Sequence, residues 1–327
     1  MTVIDWLLDS DPAIRWQVMR DLQGAPAAEV AVERARVANE GWGARILDLQ
    51  GADGNWDGGT FFPDWYTGEG PQPWTATAHT LGLLRHLGPD PANERVQHAI
   101  ALVRDNSRWE AIPQLFFEGE TEDCINGLAT AIGAYFDQDV RSIVDRLLGE
   151  RLDDGGWNCE TEFGSVRSSF ASTINVLEGL LEFEWETGGS PAVTEARASA
   201  EEYLLERHLF RRLTTGEVPD PRWLEPTFPT FWRYDVLRAL DYFRSTGQRP
   251  DNRCAEAVDV VRSARADDGR WPLLWSMPGA VHFRMEDGAG EPSRWVTLKA
   301  LRVLRWYDDG VGPLADDSEP EVAARPY

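Results

Sequence analysis

The chain has 327 residues, 42% of them hydrophobic and 15 of them Trp, enough to bury a sizeable core and too apolar for disorder by composition. A formal charge of -23 makes nucleic acid and anionic membrane surfaces poor partners, and no apolar run is long enough to span a bilayer or ordered like a secretory signal. The three cysteines, Cys124, Cys159 and Cys254, show no paired metal-ligand spacing and fit a reducing compartment, so the cytoplasm is the expected location.

In chain order, Asp11-Pro12 opens a first helix through Leu22, with Pro in the first turn. Segments of helical apolar spacing then alternate. One set carries a charged face: roughly Ala27 to Leu49, Pro91 to Arg104, Asp139 to Leu152, Pro191 to Phe210 and Asp251 to Ala266. The other set is more apolar and is expected inside: about Trp74 to Leu87, Glu122 to Phe136, Ser169 to Phe183, Phe231 to Arg244 and Arg294 to Tyr307. Thr121, Ser168, Thr230 and Ser293 stand where N-caps are expected, and Gly88-Pro89, Gly188-Gly189 and Gly247 mark stops. Strand-like alternation is scarce, so the class is all-α.

A short turn separates the two sets three times: Asp53-Gly54-Asn55-Trp56, Asp154-Gly155-Gly156-Trp157 and Asp268-Gly269-Arg270-Trp271, with a relaxed copy at Asp105-Asn106-Ser107-Arg108-Trp109. Asp closes such a turn on its own backbone, Gly supplies positive φ, and Trp plugs the groove between units. A period of roughly fifty residues is the mark of a repeat architecture. Six inner and about six outer helices would close into an α/α toroid, a single domain over residues 1–309. An acidic, flexible tail over 310–327 would follow.

The stretch Leu47-Asp48-Leu49-Gln50-Gly51-Ala52-Asp53-Gly54-Asn55-Trp56 resembles the Gln-Trp repeat of the squalene and terpenoid cyclases and the protein prenyltransferase β subunits. The other two turns keep the Asp-Gly-x-Trp core with Arg in place of Gln. Within that superfamily the chain looks most like short, single-domain bacterial squalene cyclase-like proteins. The resemblance implies a central aromatic cavity for an isoprenoid-like hydrophobic small molecule, with or without a diphosphate, and acid-initiated cyclisation. A non-catalytic scaffold or protein-binding toroid and a carbohydrate-active toroid are the alternatives.

Parallel inner helices would bring their N-termini to one mouth of the ring, which selects the candidate residues. Arg167, Arg233 and Arg294 lie beside three helix starts and together would meet an anion. Glu120-x-Glu122-Asp123 has the spacing of the Asp-x-Asp-Asp acid of class II terpene cyclases, and crowded carboxylates can retain a proton. Asp235 is a further inner-helix carboxylate. Glu122-x-Cys124, with His282 later in the chain, is the nearest match to the Asp-x-Cys and His of a prenyltransferase zinc site. The structural alternative makes Glu122 and Asp123 helix N-terminal acids and Cys124 a small buried residue. The sequence requires no cofactor; zinc or magnesium is compatible with it. Trp74, Phe117, Trp232 and Trp295 are the aromatic candidates for substrate contact, or else plugs of the barrel.

Overall fold

The computed structural model describes residues 1–310, so the expected tail beyond Gly310 lies outside the described residues. Thirteen α-helices occur among them: α1 (Val3–Leu8), α2 (Pro12–Val18), α3 (Ala27–Ala35), α4 (Gly41–Asp48), α5 (Thr77–Leu87), α6 (Glu94–Asn106), α7 (Asp123–Tyr135), α8 (Arg141–Glu150), α9 (Phe170–Thr187), α10 (Pro191–Leu205), α11 (Val236–Ser245), α12 (Ala255–Ser263) and α13 (Arg294–Asp309). No β-strand is present among the described residues, only isolated bridges. The segment expected as one helix from Ala27 to Leu49 is broken into α3 and α4. At the break, Gly41 adopts φ +64, and any side chain there would collide with Asp11, whose carboxylate accepts the Trp42 N–H.

Six helices, α2, α5, α7, α9, α11 and α13, form a closed inner ring. Trp16 on α2 donates its indole N–H to the Leu87 carbonyl at the end of α5, at 3.0 Å. Helix α7 packs so tightly on α9 that a Cβ on Gly127 would stand 2.6 Å from the backbone of Asn175 and Val176. Arg238 on α11 reaches Glu178 on α9 at 2.8 Å, and Lys299 on α13 faces Asp241 on α11 at 3.6 Å. Arg302 closes the ring from α13 back to Gln17 on α2, at 2.6 Å. Helices α4, α6, α8, α10 and α12 lie outside, each before a turn or loop that leads inward. The result is the α/α toroid that the turns implied.

The three Asp-Gly-x-Trp turns repeat one set of bonds. Each Trp is fully buried and donates its indole N–H ten residues back, to the carbonyls of Ile46 (2.8 Å), Leu147 (2.7 Å) and Val261 (2.7 Å) near the ends of α4, α8 and α12. Each Trp backbone N–H donates to a threonine hydroxyl in the first turns of the next inner helix: Thr77 (3.1 Å), Thr173 (3.2 Å) and Thr297 (3.0 Å). The Trp thus ties one outer helix to one inner helix. Gly54, Gly155 and Gly269 hold φ between +83 and +103, and the first two lie against the backbone of α6 and α10, the next outer helices. Trp109 in the relaxed copy makes a different bond, to the Phe116 carbonyl at 3.1 Å.

The helix caps differ in part from the expected ones. Ser293 caps α13 as read, accepting from Val296 N–H at 3.0 Å. At α9 the cap is Ser169, because the Ser168 hydroxyl is taken up by Asp154 and Gly156 of the second turn. Thr121 and Thr230 lie one and five residues before the caps, Glu122 and Asp235.

Candidate functional site

The N-terminus of α7 is placed by a short 3-10 turn at Phe116–Glu118 and a loop that Asn126 clamps. The Asn126 side chain accepts from Glu120 N–H at 2.8 Å and donates to the Glu120 carbonyl at 2.7 Å. Arg146 of α8 donates to the carbonyls of Glu120 (2.7 Å) and Thr121 (3.0 Å). The buried Glu120 carboxylate turns inward on its own loop and accepts from Glu122 N–H at 2.8 Å. Of the three acidic residues in the expected motif, Glu120 therefore serves the backbone.

Asp123 is buried and looks outward to Glu150 at the end of α8. Each residue has one buried carboxylate oxygen that no donor among the described residues reaches, as two facing carboxyls require when they share one proton. Burial, and next the contact with Glu150, push Asp123 up to about 8. The crowding expected among Glu120, Glu122 and Asp123 is not what raises Asp123: the carboxylate that faces it, Glu150, comes from the outer ring.

Glu122, exposed at the cap position of α7, faces the two cysteines. The Cys124 thiol donates toward Glu122 Oε2 at 3.6 Å, and Cys159 Sγ accepts from the Cys124 backbone N–H and the Ser172 hydroxyl, both at 3.2 Å. Contact with the Cys124 thiol first, and then these donors, hold the Cys159 thiol below its ordinary value, while the same contact and burial push Cys124 well above. The Glu122 carboxylate and the two sulfurs all lie within 4.8 Å of one another. Cys159 was not singled out as a site residue. It lies two residues past Trp157, in a loop that the second turn directs back over α7, and only the repeat geometry would have found it.

The other candidates do not join this cluster. His282 sits on Thr80 Oγ1 of α5, at 2.8 Å, because the loop from Pro272 to Pro292 folds across that side, where Trp74 N–H donates to the Ala280 carbonyl at 2.8 Å. Arg294 lies over Trp6 and donates to the Asp9 carbonyl at 3.2 Å, on the seam that α1 closes. Arg233 lies between Trp232 and Trp275, with its guanidinium carbon 5.4 and 5.2 Å from their rings. Arg167 is exposed in the loop before α9. The three arginines share no partner. The anion that the start of α13 calls for is Glu286, whose carboxylate accepts from the Ser293 hydroxyl (2.7 Å) and Trp295 N–H (3.1 Å). Asp235 is an N-cap, accepting from Arg238 N–H at 2.8 Å.

The aromatic candidates are mostly plugs. Trp74 stacks on Phe231 at 4.3 Å and Trp295 on Phe228 at 4.4 Å, both buried. Phe117 packs on Phe116 and against Gly133 on the α8 side of α7. Trp232 alone of the four is substantially exposed, at 37%. The ring centre is correspondingly different from an aromatic chamber. A partly open pocket of about 30 Å³ lies there, lined by residues that include Gln17, Arg85, Glu178, Arg238, Lys299 and Arg302. Arg85 and Glu182 meet there at 3.0 Å with side chains almost fully buried.

No protein-family model matches the sequence, and no curated protein matches it in sequence. Among solved structures, the chain is similar to the type II terpene cyclase MstE from Scytonema, determined with its substrate geranylgeranyl dihydroxybenzoate. The two share 15% sequence identity over 90% of this chain and 85% of that one, with a TM-score of 0.42. None of the described helices is long and apolar enough to cross a membrane.

Proposed function

We infer that the chain is a metal-dependent toroid whose functional centre is the mouth cluster of Glu122, Cys124 and Cys159, taking a thiophilic divalent cation of which zinc is the best match. The observation that carries this reading is the convergence of one carboxylate and two sulfurs within 4.8 Å, from the start of α7 and the loop that follows the second turn. The donor set fits: thiolate and carboxylate are ordinary zinc ligands, and three protein ligands leave a fourth position for water or substrate. Contact with Cys124 holds the Cys159 thiol below its ordinary value, and the adjacent acids Glu120 and Glu162 add negative potential around Glu122. A zinc ion held this way polarises an oxygen or acidifies a bound nucleophile.

The chain's own residues have definable parts. Glu122, Cys124 and Cys159 bind. Ser172 orients Cys159, and Asn126 and Arg146 fix the loop that carries Glu122. Asp123 holds a proton against Glu150 on the far side of Cys124. Cyclisation of an isoprenoid-like polyene inside the ring is the weaker reading, since a centre of about 30 Å³ has no room for such a chain. An isoprenoid group would instead lie at the mouth, against Trp232.

A second reading, a non-catalytic scaffold, is favoured by the same filled centre. Elemental analysis of the purified chain, repeated on Cys124→Ser and Cys159→Ser, separates the two. Metal in the parent chain and its loss in both variants support the metal centre, while a parent chain that takes up no zinc leaves the scaffold.

A further inference from the structure

The ring centre concentrates a second chemistry. Five inner helices, α2, α5, α9, α11 and α13, contribute to a pocket of about 30 Å³ whose wall holds four cations, Arg85, Arg238, Lys299 and Arg302, and two carboxylates, Glu178 and Asp241. The carboxylates are divided among several cations. Glu178 takes both N–H groups of Arg238 at 2.8 Å, and Asp241 takes Arg244 at 2.8 Å. Asp21, just behind the wall, is shared by Arg20 and Arg302, each at 2.5 Å.

Two cations keep donors that nothing among the described residues accepts. Arg302 Nε is buried with no partner. Lys299 Nζ makes no hydrogen bond among the described residues, and its ion pair with Asp241 spans 3.6 Å. Both side chains are at most 11% exposed. Buried donors on charged groups are costly to leave unsatisfied, and most costly where several like charges share a low-dielectric space.

We propose that this pocket is a binding site for one small inorganic anion, a halide or an oxyanion such as phosphate, held by Lys299 and Arg302 at the centre of the ring. The volume suits such an ion; it also suits water, which would meet the donors without meeting the charge. The imidazole of His86, in the same wall, is driven well below its usual range by burial and by Lys299, Arg85 and Arg238, in keeping with a positive potential in the pocket. The anion would act as a structural rivet between α11, α13 and α2, in a chain that is otherwise strongly acidic.

The test is thermal unfolding of the full chain at fixed ionic strength, with chloride or phosphate replacing gluconate. A saturable rise in Tm with either ion, lost in Lys299→Met and kept in Lys299→Arg, is expected. No saturable rise, or one that persists undiminished in Lys299→Met, overturns the proposal. Should Lys299→Met fail to fold, crystals of the parent chain grown in bromide decide it. An anomalous peak between Lys299 and Arg302 supports the site, and water alone there contradicts it.

Discussion

Replacing Thr173 with Val removes one hydroxyl at the point where the second repeat turn is joined to the inner ring. That hydroxyl accepts the backbone N–H of Trp157 at 3.2 Å, and both residues are fully buried. Val is nearly isosteric and has a similar helix preference, so the change leaves chiefly an unsatisfied buried N–H, worth about 1–3 kcal/mol. The structure repeats this bond at Thr77 and Thr297, so Thr297→Val should cost a similar amount. Thr77→Val should cost more, since its hydroxyl donates to the Gly59 carbonyl at 2.7 Å, whereas those of Thr173 and Thr297 donate to the Trp157 and Trp271 carbonyls only at 3.4 Å. Thr130 supplies the control: it is equally buried, on α7, but its hydroxyl has no partner. Thr130→Val should change stability by less than about 0.5 kcal/mol or improve it. Urea unfolding followed by Trp fluorescence measures all four. The reasoning fails if Thr173→Val and Thr297→Val are indistinguishable from the parent, or if Thr130→Val is as costly as they are.

Two further outcomes follow from close packing and from burial. Gly127→Ala places a methyl 2.6 Å from the backbone of α9. It should destabilise by about 1–3 kcal/mol, and a neutral result in the same assay would show that α7 and α9 are not so close. His79 is buried among Phe61, Trp74 and Phe231, and burial pushes its imidazole down to about 3 from 6.5. The unfolded chain then binds a proton that the folded chain does not. Stability should fall with pH between about 6.5 and 3 by up to about 1.4 kcal/mol per unit from this group. His79→Gln should remove that component, and parallel pH profiles for parent and variant would place the titration elsewhere.

How far the fold was legible depends on the range of each interaction. The turns could be read because their cause is local: Asp53 and Asp268 accept the N–H two residues on, at 3.1 and 3.0 Å, and Gly holds the positive φ. The threonines that complete the turns lie 16 to 26 residues downstream and carry no signature of their own. Helix α1, six residues long, was missed, and with it the Trp6 and Asp9 contacts that take Arg294 away from the mouth. The like charges that crowd in sequence, Glu120 and Glu122, are not the ones that act on Asp123; burial and Glu150, 27 positions away on another helix, are. Cys159 and the ring-centre cations escaped for a related reason. Arg85, Arg238 and Arg302 look like ordinary polar positions on amphipathic helices until closure of the ring turns them toward one another.

The central claim is that Glu122, Cys124 and Cys159 form a metal centre, and the most direct measurement is metal content of the chain purified without chelator and then given zinc at equimolar amount. One tightly held zinc per chain is expected, lost from both Cys124→Ser and Cys159→Ser while their far-ultraviolet circular dichroism stays that of the parent. A parent chain that binds no zinc, or a double Cys124→Ser, Cys159→Ser variant that still holds it, would contradict the account.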